Sequence, residues 1–326
     1  MVAVNLLAKL TNDGMFAQYT SKNSAPRNVY AKKLTGHRKS SINNMFKGSG
    51  SYVDAEPNSI DAVICDEAHR LNDKSGMFHN LGENQIKEII NAALCSIFFI
   101  DESQRVTLSD IGSVAEIRRW ADELESEVME MELVSQFRCN GSDGYLAWLD
   151  DVLEIRETAN FDLKDIDYDI KIVDSPNEVR DLIIERNRVH NRARILAGYC
   201  WAWIKAGQNN TDVHDIKIGD FGMSWNLGNT TTFAIDETSV NEVGCIHTSQ
   251  GLEFDYAGVI IGDDMRYQDG HIVTDLQNVQ NRSIVKRNQK AVPGKSREGV
   301  ERSRRNYQKY ISYAHDKRHE GMLYLL

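Results

Sequence analysis

An apolar run that ends in two adjacent carboxylates constrains this sequence more than any other feature. Residues 61–69 read Asp-Ala-Val-Ile-Cys-Asp-Glu-Ala-His, which predicts a buried strand followed at once by Asp66 and Glu67. At the end of such a strand, one carboxylate can hold Mg²⁺ through water while its neighbour orients the water that attacks a terminal phosphate. An acidic turn after a core strand gives the same residues in a chain with 48 acidic residues. The pattern alone leaves both interpretations open.

Together with three later segments, this stretch resembles the ordered motifs of superfamily 1 helicases. Asp66-Glu67-Ala68-His69 is similar to the DEAH form of the Walker B motif, and residues 98–104 resemble motif III. Residues 134–139 resemble motif IV, and residues 247–255, before a predicted strand, resemble motif V. The phrases at 141–145, 197–201 and 243–247 are similar to those of the Schlafen group 3-like DNA/RNA helicase domain family. The resemblance covers nearly the whole chain.

The resemblance implies an α/β fold of two RecA-like, doubly wound parallel-sheet domains of the P-loop NTPase type. Residues 1–130 would form the first domain, with Walker B and motif III, and residues 131–326 the second, with motifs IV, V and a divergent VI. Strands separated by helices independently predict a parallel sheet that is covered on both faces. Ligands bind at the carboxyl ends of such strands, which is where the acidic segments fall.

The phosphate-binding loop of this family, G-x-x-x-x-G-K-S/T, is missing from the sequence. The Gly-Lys-Ser at 294–296 does not fit, because Gln289 stands where the loop needs its first glycine. Residues 2–10 resemble the helix that follows such a loop, which would place the loop just upstream of Met1. We therefore expect a fragment whose first domain lacks the Walker A strand and loop, and which is inactive alone.

The resemblance also implies roles for individual residues, with ATP and Mg²⁺ as cofactors and DNA or RNA as partner. The catalytic residues would be Glu67, which polarises the water, Gln104, which senses the γ-phosphate, and Arg138 and Arg318, which reach across from the second domain. Asp66 would bind the metal, and the nucleotide would be held by Asp66, Asp101, Gly251 and Glu253. The nucleic acid would be contacted by Ser21, Lys22, Asn23, His69, Thr248, Ser249 and Gln250. The motif VI segment lacks its usual Thr/Ser-Arg pair, so Arg318 is the first candidate there and Lys317 the second.

The charge distribution and the cysteines limit which cellular compartment and which binding partner fit this sequence. The net charge is −10, yet residues 282–318 contain twelve Lys or Arg against three acidic residues, and a second basic stretch spans 27–47. Such patches can track a phosphate backbone, although a solvated surface loop is the other interpretation of 282–305. The five cysteines contain no Cys-x-x-Cys, and the apolar stretch at 92–100 is too short for a membrane span. We expect a cytoplasmic protein with reduced thiols.

Two other functions fit parts of the sequence. A helicase-like fold could bind nucleic acid or a protein without catalysis. A metal-dependent nuclease could use Asp66, Glu67 and Asp101, although no acidic/lysine nuclease pattern stands out. Trp201, Trp203 and Trp225 could stack nucleic-acid bases, but core packing or a stacking surface for the base of the nucleotide fits all three better.

Overall fold

The computed structural model of the protein describes residues 2–34, 36, 39–76, 80–105, 109–132, 143–159, 162, 169–275 and 323–325. It divides into two compact units, Met1–Glu132 and Leu133–Leu326. Each unit is built around a mainly parallel β-sheet, as the α/β expectation requires. Within the described ranges, no helix combines the length and apolar character needed to cross a membrane.

Unit 1 is a four-stranded, all-parallel sheet with helices on both faces. Its helices are α1 (Val2–Asn12), α2 (Ser24–Lys33), α3 (Lys39–Met45), α4 (Gln85–Ala92) and α5 (Val114–Glu123). Its strands are β1 (Ala17–Ser21), β2 (Phe46–Gly48), β3 (Ile60–Cys65) and β4 (Ala93–Phe98), in the order β2-β1-β3-β4. Short 3₁₀ helices cover Ser49–Tyr52, Ala68–Arg70 and Glu102–Gln104.

The two faces of this sheet bury separate sets of side chains. On one face, Leu7 of α1 packs with Tyr19 of β1 and Ile64 of β3. On the other, Val63 of β3 packs with α4 and with Trp120 of α5. Because successive strand residues point to opposite faces, the apolar run of β3 supplies both clusters. The predicted burial of this strand is thus confirmed.

Strand β4 lies at an open edge of the unit 1 sheet, since β3 is its one strand partner among the described residues. It is nevertheless apolar in sequence, and Leu94 is 67% exposed. The next residue, Cys95, faces the other side of the sheet and is also exposed. Parallel sheets normally bury both faces, and exposed apolar edges promote unwanted pairing. β4 therefore has the composition of an interior strand.

Unit 2 contains a seven-stranded sheet and a separate hairpin. Its helices are α6 (Asp143–Val152), α7 (Pro176–His190) and α8 (Ile246–Ser249). Its strands are β5 (Lys171–Ile172), β6 (Ala193–Ala197), β7 (Ile216–Ile218), β8 (Phe221–Trp225), β9 (Glu242–Gly244), β10 (Tyr256–Ile260), β11 (Met265–Gln268), β12 (His271–Thr274) and β13 (Leu323–Leu325). The sheet order is β5-β13-β10-β6-β9-β8-β7, with β7 antiparallel to β8, while β11 and β12 form the hairpin. Among the described residues of this unit, 3₁₀ helices also cover Lys205–Gly207 and Glu237–Asn241.

Most predicted elements are present, but several boundaries differ. The charged sequence 114–129 predicts one helix, but the helix ends at Glu123, because Glu125 is left-handed (φ 52°) and the Ser126 amide donates back to the Ala121 carbonyl. The sequence 177–187, which follows Ser175-Pro176, also predicts a helix; in the structure that helix continues to His190 and ends at a left-handed Asn191. The strands that were not predicted include β2, β6, β8 and the two hairpin strands β11 and β12. Trp225 is buried in the unit 2 core, so its packing role is confirmed.

Candidate functional site

Three strands of unit 1 end at one level and bring the predicted carboxylate segments to the same edge of the sheet. Thr20 pairs with Cys65, and Cys65 with Phe98. Beyond the strands, the Asp66 amide donates to the Thr20 carbonyl (2.9 Å) and the Phe99 amide to the Cys65 carbonyl (2.8 Å). The Ala68 amide then donates to the Phe99 carbonyl (2.9 Å). The turn at 66–70 is thereby held against the chain that leads to Asp101.

Asp66 is half-buried, and its carboxylate is oriented by two donors. Oδ2 accepts from the Tyr19 hydroxyl at 2.8 Å, and Oδ1 accepts from the Glu67 amide at 3.0 Å. Burial and the negative charge of Asp66 raise the pKa of Tyr19, so this hydroxyl stays a donor. Because each carboxylate oxygen has a further lone pair, Asp66 can still hold a metal-bound water.

The residues present fit Mg²⁺ better than a metal held entirely by protein. In the part of the chain that the structure describes, no cluster of three or more His, Cys, Asp or Glu residues is placed to hold a metal. Mg²⁺ characteristically uses one or two carboxylates and takes its other ligands from water and substrate phosphates. Asp66 alone meets that requirement. The described residues therefore do not supply the group of acidic ligands that the nuclease interpretation requires.

Glu67 is held in an unfavourable backbone conformation. Its φ of 54° and ψ of 43° are left-handed, which costs a non-glycine residue about 1–2 kcal/mol. The side chain is only 8% exposed, and Oε2 lies 3.1 Å from Nε2 of His69. Strain of this kind persists where the surroundings fix the conformation, and it is often found at functional sites.

His69 and Gln104 both contact Asp101. Nδ1 of His69 accepts from the Asp101 amide at 3.4 Å, and Nε2 of Gln104 donates to Asp101 Oδ2 at 2.7 Å. The other amide atom of Gln104, Oε1, is buried and has no hydrogen-bond partner among the described residues. In this orientation Gln104 can accept from a water, whereas donation to a phosphate oxygen would require its amide to turn over. His69 is 2% exposed, so a nucleic acid would reach its ring only if the turn opened.

The predicted nucleic-acid residues of unit 1 take part in internal contacts. Ser21 is buried and donates to the Asn23 carbonyl, while the Asn23 side chain caps α2 by accepting from the Ala25 amide. The Lys22 ammonium donates to Asn72 and to Asp110, each at 2.9 Å. These contacts join the end of β1 to the segment after the Walker B-like turn.

Asp110 forms ion pairs with two basic residues, and no sequence motif predicted this role. Its side chain is fully buried, and its two oxygens lie 2.9 Å from Lys22 Nζ and 2.9 Å from Arg70 Nε. The Arg70 side chain is 6% exposed and that of Lys22 is 26% exposed. Lys22 therefore has the accessible end of this network.

Gly112 lies against the backbone of the 66–70 turn, where there is no space for a side chain. A Cβ at this position would stand 1.9 Å from the Ala68 carbonyl oxygen and 2.7 Å from Cα of His69. Both atoms belong to the backbone, so no side-chain rotation can relieve the overlap. Beside it, the Ile111 amide donates to the Leu71 carbonyl at 2.8 Å.

We expect Gly112→Ala to destabilise unit 1 by about 1–3 kcal/mol or more, because the methyl group displaces the backbone of the turn. Thermal unfolding of the purified variant measures the effect. Gly48→Ala is the matched control, since its new Cβ would meet only the Arg27 side chain, at 3.5 Å or beyond. Equal melting temperatures for the two variants would contradict the steric argument.

In unit 2, the motif V-like segment begins with the short helix α8. The Thr248 hydroxyl accepts from the Cys245 amide at 2.9 Å, and the Ser249 hydroxyl donates to the Cys245 carbonyl at 3.0 Å. Gln250 is 1% exposed, and Gly251 is left-handed with a φ of 81°. Glu253 is half-buried. These hydroxyls thus shape the local turn.

His247 is an exposed residue of this segment to which the sequence assigned no role. Its ring centroid lies 5.9 Å from that of Tyr199, which follows β6. Position 247 opens the motif V-like run, and its exposure is the signal that identifies it. Tyr19, Asp110 and Gly112 were also missed, because their partners are distant in sequence.

Asp264 is a buried carboxyl group in the turn between β10 and β11, immediately before Met265. It is 2% exposed, Oδ2 has no hydrogen-bond partner among the described residues, and Cys200 is a neighbour. Burial raises the pKa of Asp264 to about 6. Because the folded-state pKa exceeds the unfolded one, this group's contribution to stability is fully present below about pH 4 and is lost as the pH rises through about 6.

We expect Asp264→Asn to raise the free energy of unfolding by about 1–3 kcal/mol near neutral pH, where wild-type Asp264 must ionise in a buried place. Near pH 4 the gain should vanish, since the wild-type carboxyl is then protonated in the folded protein. Calorimetric unfolding at both pH values measures the difference. Asp263→Asn, at an exposed neighbour, should give no comparable gain; a pH-independent gain from Asp264→Asn would contradict the assignment.

Several predicted residues lie outside the described ranges. These are Arg138, Arg318 and Lys317, together with the motif IV-like segment and the basic region 282–318. The predicted residues of unit 1 converge at one edge: Asp66, Glu67, His69, Asp101 and Gln104. Those of unit 2 lie together at 248–253.

Comparison with known proteins places the chain in a family. The family described as Schlafen group 3, DNA/RNA helicase domain, matches residues 1–312. An uncharacterized protein of Saccharomyces cerevisiae is 26% identical in an alignment of 230 residues, and the match covers 64% of this chain and 50% of the yeast protein. The match therefore spans half the length of that relative. On the extent of the family match, the chain belongs to the Schlafen group 3 DNA/RNA helicase domain family.

Proposed function

We propose that the chain is the core of an ATP-dependent helicase or translocase acting on DNA or RNA, with two RecA-like domains. One observation carries the proposal. Asp66 and Glu67 follow β3, and Asp101 and Gln104 follow the neighbouring β4, so that four polar side chains lie at one edge of a parallel sheet. This is where open α/β sheets bind their ligands.

Helix α1 supports a phosphate site at the same edge. α1 packs on β1 and β3, and only a short connection separates its last residue, Asn12, from Ala17 of β1. A helix that returns so directly into a strand runs antiparallel to it, so α1 begins at the carboxyl edge of the sheet. The first amides of a helix are unpaired and carry partial positive charge, which favours phosphate.

In the proposed reaction, ATP would supply the γ-phosphoryl group and Mg²⁺ would neutralise negative charge on the phosphates. Asp66, whose carboxylate is oriented by Tyr19, would hold the Mg²⁺ through water. Glu67 takes the proton of the attacking water as general base, and Gln104 accepts from that water through Oε1. Asp101 orients Gln104 by accepting from its Nε2.

Further residues enter the proposal on sequence resemblance. Arg138 and Arg318 would stabilise charge in the transition state, a contribution that reaches about 10³–10⁵-fold for arginine fingers. Gly251 and Glu253 would contact the nucleotide. Nucleic acid would be bound by the segments at 21–23 and 248–250, with Lys22 as the accessible cation; binding a phosphate there requires Lys22 to share or leave Asp110.

A phosphate loop is the missing part, since residues 1–326 contain no G-x-x-x-x-G-K-S/T. We propose that it comes from outside these residues, on a strand that pairs with the open edge of β4 and runs into α1. The exposure of Leu94 supports that position. The 326-residue protein should accordingly hydrolyse ATP negligibly.

The test compares ATP hydrolysis by the 326-residue protein and by a longer protein that carries the loop ahead of α1. We expect turnover only in the longer protein, and a higher rate with single-stranded DNA or RNA. Robust turnover by the 326-residue protein would overturn the account of the loop. No turnover by the longer protein, with or without nucleic acid, would overturn the enzyme proposal.

The absence of the loop sequence also favours a second candidate, a non-catalytic module that binds nucleic acid or protein. This candidate predicts salt-dependent nucleic-acid binding that ATP does not alter. Binding measurements with and without Mg-ATP on the longer protein separate the two candidates.

A further inference from the structure

We propose that His69 is a positioning residue that holds the Glu67 carboxylate in place. The inference rests on the proposed function, because it assigns a task to the base of that reaction. It starts from the 3.1 Å contact between His69 Nε2 and Glu67 Oε2, two atoms whose side chains are 2% and 8% exposed.

The hydrogen-bonding state of the ring follows from its other nitrogen. Nδ1 lies 3.4 Å from the Asp101 amide, and a backbone N–H can only donate, so Nδ1 is the acceptor. In the neutral imidazole the proton therefore resides on Nε2. His69 thus presents a donor toward Glu67, and the chain leading out of β4 selects that tautomer.

Burial makes this donor effective. The Nε2 atom is inaccessible to solvent, and no acceptor among the described residues is aligned with it as a full hydrogen bond. The Glu67 oxygen stands at hydrogen-bond distance, so a small rotation of the carboxylate aligns the pair. If Glu67 turned away, the buried N–H would lose this partner, which is unfavourable.

The backbone also restricts Glu67. Its left-handed conformation directs the side chain, and the same turn is fixed by the Ala68–Phe99 hydrogen bond and by the close approach of Gly112. His69 is thus attached to the β4 segment on one side and to Glu67 on the other. It acts on the reaction through Glu67 without touching the substrate.

The first test is spectroscopic and uses the 326-residue protein with ¹⁵N-labelled histidine. We expect His69 to be the Nε2–H tautomer with slow exchange of that proton. Exchange should accelerate at least about tenfold in Glu67→Ala and by less in Glu67→Gln, which keeps a neutral acceptor. Glu88→Gln, at another buried glutamate of unit 1, is the matched control and should leave the signal unchanged. An Nδ1–H tautomer, or equal exchange in all four proteins, would overturn the contact.

The second test separates positioning from simple structural support, in the longer protein with the phosphate loop. His69→Gln places an amide donor near the former Nε2, whereas His69→Asn keeps only an acceptor near the former Nδ1. We expect His69→Asn to lower kcat at least about tenfold with little change in KM, and His69→Gln to restore much of it. Equal kcat values for both variants and wild type would refute the positioning role. If the longer protein is inactive, the proposed function fails, while the spectroscopic test still decides the contact.

Discussion

Glu67→Gln should lower ATP turnover by about 10²–10⁴-fold in the protein that carries the phosphate loop, the range typical of a positioned general base. Glutamine has the shape of glutamate but cannot take a proton from water. Nucleotide binding should persist, because in the proposed site Asp66 makes the metal contact and the phosphates would lie against the loop and α1. The effect should therefore fall on kcat and not on affinity.

Single-turnover hydrolysis and equilibrium binding of a fluorescent ATP analogue measure these two quantities separately. Glu88→Gln is the matched control, as it changes another buried glutamate of unit 1, on α4, away from the site. Burial raises the pKa of Glu88, so its neutral replacement should be tolerated. If Glu67→Gln turns over ATP like wild type, Glu67 is not the base. If it loses binding as well, Glu67 holds the nucleotide or the fold instead.

The sequence predicted the architecture of unit 1 because its signals were local. The apolar run of β3 and the helices around it specify a parallel sheet, and a parallel sheet aligns its carboxyl ends. Asp66 and Asp101 were therefore predicted at the same edge of the sheet, and the structure places both there. Strands β6 and β8 escaped prediction because short apolar runs have no distinctive period.

The internal partners of the site residues could not be predicted in the same way. Lys22 and Asp110 are 88 positions apart, and Tyr19 and Asp66 are 47 apart. No spacing rule links such residues, since only the folded sheet brings them together. The burial of His69 likewise depends on the chain around Gly112, whose close approach arises from tertiary packing.

Asp110→Asn is expected to destabilise unit 1 by about 3–5 kcal/mol, the range for removing one partner of a buried ion pair. The substitution keeps the shape of the side chain but removes the charge that neutralises Arg70 and Lys22. Arg70 is nearly buried and has little access to water, so most of the loss should come from removing the negative charge beside its guanidinium. The Lys22 side chain is partly exposed, so water can solvate its ammonium group, and Lys22 should account for less of the lost stability.

Chemical unfolding of wild type, Asp110→Asn and Asp13→Asn measures the effect against a matched control. Asp13 pairs with Lys9 on the exposed surface of α1 and its following turn, at the same 2.9 Å N–O distance. Surface pairs contribute at most about 1 kcal/mol, so equal losses would show that burial is not what makes Asp110 costly to replace. A double variant that also carries Arg70→Met should recover part of the loss, because the charge stranded by Asp110→Asn is then gone. If it recovers nothing, the network stabilises unit 1 through packing, and the link between the end of β1 and the Walker B-like turn does not depend on its charges.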